Sequence, residues 1–271
     1  MDPSLSIASL QIGITKGTIS VKVLSLWISN PKSLEKQCRM ILADAEGSRM
    51  EATIPHPYYL RSFVNEIFEG NWYLLTNFMV IENPEPFRNT TNPMIIKFSY
   101  KTKMNQFDDV TDPCLLEFMK FPEILNHEND SSDVPIDLFG MILKVSKVKG
   151  LPYVPKEDEV AYMPKYRDIV LVDNEGNLLK ATTMGDSCSS FSEMWLNSGF
   201  DIKRRSDEVF CVMKFWSISG FEGDRCIITG EGCSKILLNP KIAELEEDEE
   251  MCRVTYPYYT ELVDESEDEI E

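Results

Sequence analysis

The sequence predicts an all-β chain: two tandem five-stranded barrels, each with one short capping helix, followed by a disordered acidic tail. Three observations carry that prediction. The stretch ILADAEGSRMEATI at 41–54 recurs at 170–183 as VLVDNEGNLLKATT, with six of fourteen positions identical and an offset of 129 residues. The segments flanking the two copies follow the same order. Charge is also uneven: the last 28 residues carry a net −12 of the chain's −18. A repeat on that period in 271 residues indicates two domains of ordinary size.

Each copy of the repeat reads as strand, turn, strand. A Gly three residues after an Asp, between two β-rich runs, is a hairpin signal: Asp44 to Gly47 and Asp173 to Gly176. A long β-rich segment precedes each hairpin, TISVKVLSLWIS at 18–29 and IDLFGMILKVSKV at 136–148. A short helical stretch follows, YYLRSFVNEIF at 58–68 and SSFSEMWL at 189–196. Two more strands close each unit, 72–81 with 94–102 and 209–219 with 226–238. Three strands, a helix and two strands is the order of the OB fold, a closed barrel plugged by the helix between its third and fourth strands. The expected boundaries are 1–104 and 135–243 for the barrels, 105–134 for a linker with one apolar piece at 115–125, and 244–271 for the tail.

Composition narrows the classes. No apolar run reaches membrane-spanning length, and the N-terminus lacks the pattern of a signal peptide, so a soluble intracellular protein without a membrane partner is expected. Seven cysteines at irregular spacing do not form a disulfide framework, and two histidines with no CxxC pair do not form a zinc site. No Gly-rich phosphate loop, GxSxG or metal-ligand cluster is present, so neither an enzyme nor a cofactor is expected. The overall charge taken alone argues against nucleic acid, yet residues 1–126 and 127–243 carry only −2 and −4. The tail has little apolar surface and its charges repel, so it cannot fold alone.

Six pieces in order resemble the two central single-strand-binding OB domains of the large subunit of replication protein A, in its plant-type form. They are IASL at 7–10, TISVKVLSLW at 18–27, LEFMKFPEIL at 116–125, IDLFGMILKV at 136–145, SGFEGD at 219–224 and ILLNPKIAE at 236–244. The resemblance covers residues 7–244. The family's N-terminal interaction domain and C-terminal zinc-bearing domain have no counterpart here, which predicts a protein outside the ordinary heterotrimer. The resemblance implies binding of single-stranded DNA in replication, repair or recombination, in the nucleus. RNA is not distinguished from DNA on these residues.

An OB groove holds single strands by stacking bases on aromatic faces and by basic side chains along the phosphates. Phe87, in ENPEPFRNTTNP, and Phe221, in SGFEGD, match the family's stacking phenylalanines. For each, a ring tucked under its own turn is the competing reading. The basic candidates are Arg39, Arg88, Lys97 and Lys103 in the first barrel, and Lys147, Lys149, Lys165, Arg167, Lys180 and Arg225 in the second. A solvated surface charge is the alternative for each. The family's second aromatic is replaced by Ile54-Pro55-His56 and by Met184, and Glu51 stands where a basic residue is expected. Trp27, Trp72 and Trp216 read as core or barrel rim. Lys203-Arg204-Arg205 reads as a loop or a weak nuclear import signal. The tail interleaves Tyr256, Tyr258 and Tyr259 with carboxylates, so it could imitate a nucleic-acid strand, dock on a protein partner's basic groove, or merely solubilise. A second function class therefore stays open: a protein-interaction adaptor that keeps the barrels and has lost the groove.

Overall fold

The computed structural model describes all residues except 1–4, 30–36, 56–58, 60–61, 64, 108–112, 127–133, 151–164, 201–207, 222–223, 231 and 265–271, and the side chains of 221, 224 and 256–264. The chain forms two compact units. The first is Met1–Leu115 with Asp133–Pro135 and Glu231–Cys233; the second is Leu116–Ser132, Ile136–Gly230 and Ser234–Glu271.

In the first unit the long β1 (Gly13–Ser29) is followed by β2 (Gln37–Ala43), β3 (Arg49–Pro55), β4 (Trp72–Glu82), β5 (Met94–Lys97) and β6 (Lys103–Phe107). β1, β2 and β3 pair antiparallel in turn, β3 pairs β5 in parallel, and β5, β4 and β1 complete the ring antiparallel. Closure leaves no unpaired edge within the ring. β1 serves both sides because bulges interrupt its register between Thr15 and Thr18 and between Val23 and Ser25. Alternate residues fill the interior, among them Val21, Met40, Ala52, Ile54, Leu75 and Ile96. Phe63, after β3, closes one end against Phe98 in an edge-on contact of 5.6 Å. Tyr59 packs on the same core, and burial raises its hydroxyl above the usual value of 10.0.

The second unit repeats the plan with β7 (Ile136–Val145), β8 (Lys149–Gly150), β9 (Lys165–Val172), β10 (Leu178–Met184), β11 (Phe210–Phe221), β12 (Asp224–Thr229) and β13 (Lys235–Leu238). The ring runs β7–β9–β10–β12–β11 and back to β7, with β10–β12 the parallel pair. Among the described residues three α-helices belong to it, α1 (Phe121–Leu125) before β7, α2 (Gly185–Ser198) between β10 and β11, and α3 (Glu246–Asp264) after β13. Trp216 is fully buried in this core and Trp72 is buried in the first unit, as the core-or-rim reading expected. The strand order and closure are those predicted, and α2 covers the helix expected at 189–196; the helix expected at 58–68 lies partly outside the described residues.

The repeated hairpin has one physical meaning in both units. Asp44 Oδ1 accepts the N–H of Glu46 (3.1 Å) and Ser48 (2.9 Å). Asp173 Oδ1 accepts those of Glu175 (3.0 Å) and Asn177 (2.8 Å). Each Asp is buried, so its carboxylate needs these donors. Gly47 and Gly176 follow at φ +84° and +86°, a backbone that a side chain disfavours.

Two expectations change. The stretch 105–134 is more than a linker: β6 pairs with β4, and Phe121 and Ile124 of α1 sit in the second core. The tail does not begin as disordered chain. Residues Glu246–Asp264 form a helix, α3. Leu245 and Cys252 are buried against Phe139, Met141, Leu143, Phe210 and Val212. Arg253 lies 4.9 Å over the Phe210 ring and bonds Glu208 (2.9 Å), Glu249 (3.4 Å) and Glu250 (3.1 Å). Asn174 donates to Asp248. Glu246, Glu247, Asp248 and Glu249 occupy the first turn, where the helix dipole favours carboxylates. Apolar anchors and that dipole offset a repulsion that charge counting alone makes decisive.

Candidate nucleic-acid interface

Strand alternation sorts the first barrel. Met40, Ala52 and Ile54 face in, so Arg39, Glu51 and Thr53 face out. Pairing then sets Trp27, Arg39, Thr53 and Lys97 in one row across β1, β2, β3 and β5. Lys97 is exposed. Arg39 is not: its guanidinium bonds Glu51 Oε2 at 2.7 Å, comes within 4.0 Å of Glu85, and lies 5.8 Å over the Trp27 ring. Trp27 itself is buried.

Glu51 is not the exposed groove carboxylate that its position suggests. It is 1% exposed and holds the loop between β4 and β5. Its Oε1 accepts the Asn89 N–H (2.8 Å) and Asn83 Nδ2 (3.5 Å), and its Oε2 accepts Asn89 Nδ2 (3.2 Å). Asn83 also donates its N–H to the Pro93 carbonyl (2.8 Å) and turns the chain by accepting the Glu85 N–H (3.0 Å). Phe87 stands on this pinned loop with 85% of its surface exposed, so the ring is not tucked under its own turn. Arg88 beside it is half-exposed. Lys103 is exposed on β6.

The second barrel carries the same frame with the charges exchanged. At the offset of 129, Arg39 corresponds to Asp168, Glu51 to Lys180 and Thr53 to Thr182, and the cross-strand pairs match: Arg39 with Thr53, Asp168 with Thr182. Asp168 accepts the Thr182 hydroxyl (2.8 Å) and pairs with Lys149 Nζ (3.2 Å). Lys149 lies 5.5 Å over the Tyr166 ring. Lys180 faces out, half-exposed. Lys147 and Lys165 are exposed.

Arg167 departs from its expected place. It shares the alternation of the core residues Ile169 and Leu171 and points toward the end plugged by α2. There it donates to the Ser146 carbonyl (2.7 Å) and to Ser192 Oγ (3.3 Å), 5.7 Å over the Phe191 ring. Burial pulls its pKa below that of an ordinary guanidinium. The structure therefore separates Arg167 from the outward face that carries Lys180. Arg225 is half-exposed opposite Gly220. Phe221 ends β11 opposite Asp224, and its side chain lies outside the described residues. Met184 is half-buried and donates its N–H to Thr229 Oγ1 (3.0 Å). His56 and the basic run 203–205 lie outside the described residues, as do the side chains of Tyr256, Tyr258 and Tyr259. Sequence reasoning missed the role of Asn83 and Asn89: Asn83 is signalled by the Asn-Pro that opens the loop, Asn83-Pro84, whereas Asn89, followed by Thr90, has no such signal.

Comparison with known proteins bears on this architecture. A family model described as a domain of unknown function, DUF223, matches residues 8–127, the first barrel and the segment after it. A solved replication protein A heterotrimer bound to single-stranded DNA is similar along 95% of this chain and 55% of its own, with 22% identity and a TM-score of 0.66. The chain thus spans about half the length of that relative. A tetrameric p202 HIN2 structure aligns at 10% identity over 85% of this chain and 98% of its own, with a TM-score of 0.41. An OB domain from Methanosarcina mazei aligns at 17% identity over 42% of this chain and 93% of its own, with a TM-score of 0.31. Comparison with curated proteins returned no match. Two closed barrels, each plugged after its third strand, make this a tandem OB-fold protein. Its architecture is replication protein A-like along nearly the whole chain.

Proposed function

We propose that the protein is a non-catalytic binder of single-stranded nucleic acid, DNA in the first instance, acting in replication, repair or recombination in the nucleus. The observation that carries this reading is Phe87: a phenyl ring 85% exposed on a loop whose backbone is pinned from below. An exposed aromatic on an ordered OB loop is a stacking platform for any base. Arg88 follows Phe87 in the chain, and Lys97 is an exposed positive charge on β5, the strand this loop leads into. The replication protein A structure with the same fold is described as bound to single-stranded DNA, which favours this ligand class.

A specific observation also favours a second reading, the protein-interaction adaptor. Arg39 and Arg167 are both spent on internal contacts, and Asp168 stands on the outward face of the second barrel. An oligonucleotide of about 30 bases, within reach of two OB folds, decides between them. It is titrated in DNA and RNA forms at low and near-physiological salt. The binding reading expects micromolar or tighter affinity that falls with salt and is lost in Phe87→Ala plus Phe221→Ala. No binding at low salt by the wild type or by a chain truncated after residue 255 overturns it in favour of the adaptor.

A further inference from the structure

We infer that Glu51 is a positioning residue that sets the Phe87 loop for base stacking, through its contact with Asn89 and Asn83. This inference rests on the nucleic-acid reading above for its effect on affinity. A carboxylate taken out of water is costly unless donors surround it. Glu51 finds them in Arg39 on one side and in the loop on the other. The loop runs for eleven residues from Asn83 to Pro93, and chain of that length has many conformations to lose. Glu51 touches it just after it leaves β4 and again two residues past the aromatic ring. Phe87 makes its own position with no buried contact, since its ring is 85% exposed. Order at the ring therefore comes from the backbone held by Glu51. A platform already ordered before binding loses less freedom when a base stacks on it.

The competing account treats Glu51 only as a negative charge near a phosphate track. The two accounts predict opposite signs. Removing a repelling charge and releasing Arg39 tightens binding; removing the loop anchor weakens it. Glu51→Ala, Glu51→Gln, Phe87→Ala and Glu51→Ala/Phe87→Ala are titrated with a fluorescent oligothymidylate of about 30 nucleotides, within reach of two OB folds. Glu51→Ala is expected to weaken binding roughly 5- to 150-fold, the range of one lost stacking group. The double variant is expected to be little weaker than Phe87→Ala alone, because both remove the same platform. Glu51→Gln keeps an amide oxygen for the Asn89 N–H and is expected to bind nearly as the wild type does. Tighter binding by Glu51→Ala or Glu51→Gln overturns the inference, as do losses that multiply in the double variant. Amide hydrogen exchange gives a reading without ligand: protection at Asn89 falls in Glu51→Ala and persists in Glu51→Gln. Unchanged protection overturns the inference even if binding changes. Should Glu51→Ala fail to fold, Glu51→Met, which keeps the side-chain volume without an acceptor, carries the same expectations for affinity and exchange. A wild type that binds no oligonucleotide removes the binding reading, while the exchange result still decides whether Glu51 sets the loop.

Discussion

Phe87 and Cys38 show how differently one side chain can matter. Phe87 touches solvent over most of its surface, so Phe87→Ala removes little packing. Its expected effect is a loss of about 1–3 kcal/mol in single-strand affinity with an unchanged melting temperature, checked by titration and calorimetry on one sample. Cys38 is fully buried in the first core, and burial pushes its thiol up from 9.0 to about 12. The folded protein therefore holds a proton that the unfolded chain releases above pH 9. The contribution of this thiol to stability is constant below that value and declines as pH rises from 9 toward 12. Thermal melts at pH 8 and pH 10 should show the decline, and Cys38→Val should lessen it. The exposure of Phe87 was legible because a Phe among Pro, Arg and Asn has no core pattern to join. The fate of Arg39 and Arg167 was not legible: whether a basic side chain meets water, a carboxylate or a ring depends on neighbours distant in sequence.

At the scale of elements, the repeated hairpin was the most readable feature because its cause is local. Asp, a short turn and Gly are bonded within five residues, so their spacing alone implies the geometry. α1 was hidden for the opposite reason. A five-residue helix has no periodic signature, and only its contacts keep Phe121 and Ile124 in the second core. One of those contacts sits over Gly140. A methyl group there would lie 2.9 Å from Phe121 Cζ and 3.0 Å from the Val172 carbonyl oxygen. The ring can shift but the backbone oxygen belongs to the barrel wall. Gly140→Ala should therefore destabilise the second unit by about 1–3 kcal/mol, measured by denaturant titration. A neutral result would mean that α1 docks loosely enough to yield.

At the scale of the whole chain, the acidic segment changes meaning. Truncation before residue 244 would remove Leu245 and Cys252 and uncover Phe139 and Phe210. We expect the second unit to lose at least about 2–5 kcal/mol, the scale of one large core side chain. Truncation after 255 should spare that packing and isolate any effect of the remaining carboxylates on binding. Calorimetry on the two truncations distinguishes a structural segment from a solubilising one: equal melting temperatures would rule out the structural role. Association with single strands should also weaken as salt rises, with a slope of about −0.7 per phosphate contacted.

The fold class, the strand order, the doubling of the barrel and the exposed loop aromatic all follow from the order of residues, because alternation and turn chemistry act over a few positions. The burial of Glu51, the withdrawal of Arg39 and Arg167, and the anchoring of the acidic helix were settled only by tertiary structure. Each depends on a partner 12 or more residues away: Asn89 for Glu51, Glu51 for Arg39, Ser192 for Arg167, Glu208 for Arg253. A charge is read from sequence as a sign, but its consequence is set by what lies within about 4 Å of it, where the interaction is strong.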